Sequence, residues 1–244
     1  MYLARLRRVN QPHKRRTGGG QAARQAGGCS ERKKMNTTLF AVRHGETEWN
    51  LIEKQQGHLN SPLTDEGIRQ AHYLADELTN RNIDVLYSSD LGRALQTAEI
   101  IAAKLSLDVH TDPRLRERHL GSMQGLTRKQ FAEKFPDEAE KFNTHDPDYI
   151  LPGGESTRQQ HHRCIECAED IAKRQIGKRI LVVTHGGVLK SFFYKATNTP
   201  LSEPRHFSLF NGSINSFSIT HNQWRLDTWG ELRHLKDIRA LDDN

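Results

Sequence analysis

Thr37-Thr38-Leu39-Phe40-Ala41-Val42 runs without a break into Arg43-His44-Gly45-Glu46-Thr47. The first six residues are short in extent, β-branched or apolar, and predict a buried strand. The next five are polar and reactive. The arrangement recurs downstream. Arg179–Val183 (RILVV) reads as a second buried strand and ends in Thr184-His185-Gly186-Gly187. Asp84–Ser88 (DVLYS) reads as a third, leading through Ser89-Asp90-Leu91-Gly92 to Arg93. Helical patterns separate these strands. One opens at Leu63-Thr64-Asp65-Glu66-Gly67 and reaches about Asn80, with Ala71, Leu74, Ala75 and Leu78 on one face. Others span Leu91–Leu105, Ser156–Gln175 and Gly187–Ala196.

Working outward, Leu107–His110 reads as a short strand, and residues 112–155 as irregular with a helix near Thr127–Phe135. Ser213–Thr220 and Trp224–Trp229 read as a hairpin around His221-Asn222. Strands alternating with helices predict an α/β fold: three αβα layers around a mainly parallel central sheet, with helices on both faces. An unpaired sheet edge near Ser213–Thr220 is expected, which leaves a homodimer open.

The chain has 244 residues and a net charge of +6. Residues 1–34 alone hold ten basic residues against Glu31, a local +9 that leaves −3 for the remainder. The whole-chain charge therefore belongs to this segment, and no nucleic-acid partner is expected of the domain. Rich in glycine and poor in large apolar residues, 1–34 is expected to be disordered. It reads as a basic extension or an upstream start before Met35, with the catalytic domain at 35–244. Its arginine-rich, acid-poor composition also weakly resembles an organelle transit peptide; otherwise a cytoplasmic location is expected. No apolar run approaches the ~18–20 residues of a membrane span, so no membrane partner is expected. Three cysteines form no disulfide framework.

In an open α/β sheet, ligands bind beyond the carboxyl ends of the strands. Arg43, His44, Arg93 and His185 should therefore meet in one pocket. Neutral imidazole is a competent nucleophile. Guanidinium binds phosphoryl oxygens bidentately. Gly186-Gly187 lets the backbone approach a ligand and opens a helix whose first amides favour an anion. Two histidines and two arginines without clustered carboxylates form a poor Mg²⁺ site and a good phosphate site.

With the motifs in order, the chain resembles the histidine phosphatase superfamily, in its phosphoglycerate mutase-like branch. The resemblance runs through Arg43–Thr47, Trp49-Asn50, Gln56-Gly57, Pro62-Leu63-Thr64, Ser88–Ala94, Leu115–Gly121, Gly153–Ser156 and Val183–Gly187. It implies a phosphoglycerate mutase-like fold and a role for each matched position. His44 would be the nucleophile that forms phosphohistidine. Arg43, Arg93 and His185 would hold the phosphoryl oxygens, with Asn50 as a further donor. Glu117 would be the general acid and then the base. Gln56, Gly57, Arg118, His119 and Leu120 would line the substrate side. No metal and no cofactor would be required.

Two outcomes of this chemistry compete. Mutases of the branch carry a longer insertion between the acid and the second histidine, with additional Lys and Arg residues. Here Glu117 and His185 are 68 residues apart. The intervening segment is acid-rich (Glu133, Asp137, Glu138, Glu140, Asp146, Asp148), and Leu120 stands where mutases have tyrosine. A phosphatase acting on a small phosphorylated metabolite is favoured, and the segments around Glu117–Leu126 and the C-terminal Trp residues resemble metal-independent phosphoserine phosphatases. A cofactor-dependent phosphoglycerate mutase is the alternative. A phosphoprotein phosphatase or a signalling protein is the second alternative. His58, His72, His110, His145, His206 and His221 read as surface or structural residues, as do His119 and His234 on balance. Cys164-Ile165-Glu166-Cys167 reads as helix packing rather than zinc ligation, and Phe207, Phe210, Phe217, Trp224 and Trp229 as core or interface.

Overall fold

The computed structural model describes residues 36–235 and 238–242. The basic segment 1–34 and its expected disorder lie outside the described residues. Strands are β1 Thr37–Arg43, β2 Val85–Ser88, β3 Val109–Thr111, β4 Arg179–Thr184, β5 Ile214–Thr220 and β6 Gln223–Glu231. Helices are α1 Glu48–Leu51, α2 Asp65–Leu78, α3 Gly92–Leu105, α4 Arg128–Lys134, α5 Pro136–Asn143, α6 Thr157–Arg174 and α7 Gly186–Thr197. The sheet order is β3-β2-β4-β1-β5-β6. The β3, β2, β4 and β1 strands are mutually parallel, and β5 and β6 are antiparallel additions.

The sheet is covered on both faces, and the residue alternation shows it. Leu39 and Ala41 of β1, with Ile180 and Val182 of β4, pack on α6 and α7. The intervening Phe40 and Val42, with Leu181 and Val183, pack on α2 and α3. Such double burial requires a near-continuous apolar run, which Leu39–Val42 and Ile180–Val183 supply. The helices start where side chains satisfy their first amides. Thr64 Oγ1 accepts from Gly67 N–H, and Ser156, Thr127 and Thr47 each form a reciprocal capping box with the residue three positions on.

Two sequence expectations change. Ser213–Thr220 is not a free edge: β5 lies between β1 and β6, and the outer strands of the sheet are β3 and β6. The hairpin turn folds β6 back over the backbone groups that β5 would otherwise expose. Residues 112–155 are less irregular than expected, because α5 follows α4 directly, with Pro136 at its first position. His72, His110, His145, His206 and His221 are exposed, and Cys164 and Cys167 are buried in the α6 core face. Phe217 and Trp224 stack with Phe192 in one ring cluster, and Phe207 and Trp229 with Phe193 in another. No helix among the described residues is long and apolar enough to cross a membrane.

Candidate active site

The carboxyl ends of β1, β2 and β4 deliver their polar residues to one place. Arg43, His44, Arg93 and Glu117 line a single cavity of about 310 Å³. Arg43, His44, Arg93 and His185 are at most 2% exposed. Four large polar groups buried this deeply require partners on every side.

His44 is oriented by its own backbone neighbour. Its Nδ1 lies 2.7 Å from the Gly45 carbonyl oxygen. A carbonyl only accepts, so Nδ1 carries the proton and the Nε2 lone pair is exposed. The Arg93 Nε–H donates to that lone pair at 3.2 Å. Asn211 Nδ2 anchors the His44 backbone through its carbonyl at 3.0 Å. Burial first, and then the charges of Arg93 and Arg43, hold the His44 imidazole well below the ordinary histidine range. The ring is therefore neutral at neutral pH.

Arg93 is a clamp with fixed geometry. Nη2 donates to the Gly57 carbonyl and Nη1 to the Leu59 carbonyl, both at 2.9 Å. Gly57 has a φ of +54°, and a Cβ there would lie 2.2 Å from Gln124 Oε1. The left-handed backbone and the adjacent Gln124 tip both favour glycine at this position. Arg43 Nη1 donates to the Leu209 carbonyl. Asn50 Oδ1 accepts from the Thr47 N–H and hydroxyl at 3.0 and 2.9 Å. Its amide NH₂ is thereby left as the group available at the cavity wall. Gln56 donates to Thr47 Oγ1 at 2.8 Å, and its buried Oε1 has no partner.

Glu117 stands on the other side of the cavity, held by three donors. Oε2 accepts from Gly187 N–H at 3.0 Å. Oε1 accepts from Gln160 Nε2 at 3.0 Å and Arg118 N–H at 2.7 Å. The Gly187 amide at the start of α7, expected to face a bound anion, thus serves the Glu117 carboxylate. Behind it, Arg163 spans the carbonyls of Arg114, Arg116 and Glu117 at 2.7–2.8 Å and pairs with Glu155.

The remaining expected residues divide. Arg118, Leu120, Gln56 and Gly57 line the cavity. Gly186 and His185 do not: both are buried, with the His185 ring edge-on to His44 at 5.2 Å between centroids. His185 Nε2 shares a hydrogen bond with Ser89 Oγ at 2.8 Å, and its buried Nδ1 has no partner among the described residues. His119 is displaced from the substrate side. Its ring packs edge-on against His58 at 4.6 Å, and its Nδ1 accepts from Gly121 N–H. His234 Nε2–H donates to the Gly212 carbonyl, outside the cavity. The acid-rich segment contributes no acidic lining residue to this cavity, although Asp146 lines a neighbouring one. Glu138 meets Tyr149 and Lys141, and Asp148 pairs with Arg158.

Several lining residues escape a sequence reading: Gln160, Lys190, Arg128, and Arg239, Leu241 and Asp242 near the C-terminus. Gln160 had a signal. It shares the inward stripe of α6 with Cys164, Cys167 and Ile171, and a glutamine in an apolar stripe calls for a buried partner. The C-terminal residues had none.

The comparisons with known proteins agree with this geometry. Residues 39–232 match the family model of the histidine phosphatase superfamily (branch 1). The chain is 40% identical over 207 residues to phosphoglycerate mutase-like protein 4 of Arabidopsis thaliana, covering 83% of this chain and 89% of that one. It is 38% identical over 208 residues to metal-independent phosphoserine phosphatase of the same plant, covering 84% and 86%. The fold superposes on phosphoserine phosphatase from Entamoeba histolytica in complex with 3-phosphoglyceric acid, with a TM-score of 0.73 and 30% identity over 82% of this chain and 99% of that one. The chain belongs to the histidine phosphatase superfamily, branch 1, and is a phosphoric monoester hydrolase by family.

Proposed function

We propose that the chain is a metal-independent phosphatase that hydrolyses small phosphomonoesters through a phosphohistidine on His44, with phosphoserine the first substrate to test. One observation carries the reading. His44 presents an unprotonated Nε2 into a cavity that also contains Arg43, Arg93 and the Glu117 carboxylate.

The roles follow from that placement. A substrate phosphoryl group takes the position of the Arg93-to-Nε2 hydrogen bond, so that Arg93 and Arg43 grip its oxygens. His44 Nε2 attacks phosphorus, and the ester P–O bond breaks. Glu117 enters this step in its acid form, passes that proton to the departing alkoxide and is left a carboxylate. Throughout, Nδ1–H stays on the Gly45 carbonyl and offsets the charge gained by the ring. Water then attacks the phosphohistidine while Glu117 takes its proton, and the N–P bond breaks to free phosphate and imidazole. Two transfers at a pre-oriented nucleophile replace one harder displacement. Positioning and charge stabilisation carry most of phosphoryl transfer, and the buried guanidinium groups supply both.

The test is phosphate release from phosphoserine, 3-phosphoglycerate and a phosphopeptide, in EDTA, with rapid acid-sparing quench to trap label on protein. Release with label on His44 is expected. Release that depends on added Mg²⁺, or label that survives in His44→Ala, would overturn the reading. The second reading, a mutase, is favoured by the similarity to phosphoglycerate mutase-like protein 4. Interconversion of 2- and 3-phosphoglycerate outrunning phosphate release would establish it. Release from the phosphopeptide alone would favour a phosphoprotein substrate.

A further inference from the structure

The end of β1 is held partly by strands and partly by one side chain. β1 and β5 run antiparallel in register as far as Val42 opposite Ile214. Upstream of Ile214, two residues still hold the Arg43 backbone. The Ser213 carbonyl accepts from Arg43 N–H at 3.4 Å, and Gly212 N–H donates to the Arg43 carbonyl at 3.2 Å. Gly212 has a φ of +67°, and the chain turns away there. At His44 the N–H is met by the Thr184 carbonyl of β4 at 3.0 Å. The His44 carbonyl is met by a side chain: Asn211 Nδ2 donates to it at 3.0 Å. The same Nδ2 reaches Asn50 Oδ1 at 3.5 Å. One NH₂ group therefore touches the backbone of His44 and the side chain whose own amide faces the cavity.

The Asn211 amide has one usable orientation. The Asn50 atom it meets is the oxygen, because Thr47 N–H donates to it, and the His44 carbonyl only accepts. Turning the amide over would set its oxygen against both. Asn211 is fully buried, and in this orientation its Oδ1 has no partner among the described residues. A buried acceptor left unpaired is destabilising. The compensating gain lies at the other end of the amide. The residue is fixed through its own backbone, since Asn211 N–H donates to the Leu241 carbonyl at 2.9 Å. Asn211 does not line the cavity, so any effect on the reaction runs through its two neighbours.

We propose that Asn211 is a positioning residue for phosphoryl transfer: its NH₂ group fixes the backbone of His44 and turns the Asn50 amide toward the phosphoryl group. The nucleophile and one of the groups that bind its target are then held to each other by a single buried side chain from outside both segments. This rests on reading His44 as the phosphoryl acceptor.

The test compares Asn211→Leu with the wild type, alone and combined with Asn50→Ala. Leucine keeps the shape and removes both N–H donors without adding charge. Asn211→Ser, whose shorter side chain withdraws the donor, serves if Asn211→Leu does not fold. Two quantities are measured per folded molecule: first-turnover release of p-nitrophenolate from p-nitrophenyl phosphate in EDTA, and calorimetric binding of inorganic phosphate. Asn211→Leu should slow the first turnover about 10- to 100-fold, as a misplaced reacting group does. It should weaken phosphate binding about 3- to 10-fold, the effect of one hydrogen bond. In the Asn50→Ala background the phosphate loss should vanish while the rate loss persists, because binding runs through Asn50 and rate through His44. An unchanged first-turnover rate, an unchanged phosphate affinity, or a phosphate loss that survives Asn50→Ala overturns the proposal. Metal-free turnover by the wild type reports separately on the phosphatase reading. Its absence sinks that reading, whereas turnover at the wild-type rate in Asn211→Leu sinks the positioning role alone.

Discussion

Glu117 Oε2 accepts a hydrogen bond from Gly187 N–H at 3.0 Å, across 70 residues of sequence. Nothing local brings these two together. The 3₁₀ turn Pro113–Leu115 after β3 and the start of α7 after β4 meet because their strands flank β2 in one sheet. The contact places a carboxylate opposite His44, and it depends on the absence of a side chain at position 187. A Cβ there would lie 2.2 Å from Glu117 Oε1 and 2.6 Å from Gln160 Nε2.

Gly187→Ala should therefore displace the Glu117 and Gln160 side-chain tips rather than the backbone. We expect kcat for phosphoserine to fall by about 10²-fold, the lower range of general acid–base contributions, with thermal unfolding nearly unchanged. A large drop in melting temperature with activity per folded molecule retained would show that Gly187 matters to the fold and not to Glu117.

Glu117→Gln keeps the shape and two of the acceptor contacts but cannot carry a proton to the alkoxide. Hydrolysis of alkyl esters should fall about 10²- to 10⁴-fold. p-Nitrophenyl phosphate, whose leaving group needs no proton, should lose much less in the formation of phosphohistidine. Burst kinetics separate that step from the second. Equal losses in the burst rate for both ester types would count against Glu117 as the acid.

Arg93→Lys removes the fork that joins His44 Nε2 to the Gly57 and Leu59 carbonyls. A lysine offers one point charge and cannot match the bidentate geometry. The expected result is a fall in kcat/KM of about 10²-fold or more, with phosphate and vanadate binding weakened in parallel. Retention of wild-type kcat/KM would remove Arg93 from the phosphoryl site.

Stability should decline on the acid side of pH 6.5. Burial, followed by nearby cationic charge, holds His44 and His185 well below that ordinary value, and burial holds His161 down to about 4. Between the folded and unfolded values the unfolded chain binds protons that the native state refuses. Stability is thus fully present above pH 6.5 and is lost as pH falls below it, for His161 down to about 4. Each such histidine adds a slope of up to ~1.4 kcal/mol per pH unit. Urea unfolding at pH 7.5 and 5.5 should show the loss, and His161→Gln should flatten it. A midpoint independent of pH over this range would contradict the burial of these rings.

The amino-acid sequence alone determined the strands and most helices, since TTLFAV, RILVV and the apolar stripes of α2, α3 and α6 are local patterns with local consequences. It also marked Arg43, His44, Arg93 and His185, because polar residues directly after doubly buried strands must emerge at one end of the sheet. Tertiary structure alone decided which groups face the cavity. It turned His119 onto His58, buried His185 edge-on against His44, gave the Gly187 amide to Glu117, put β5 inside the sheet and brought Lys190 and Arg128 to a common cavity. These outcomes depend on side-chain direction and on pairings between segments far apart in the chain. A hydrophobic period records which face of an element is buried, but not which neighbour buries it.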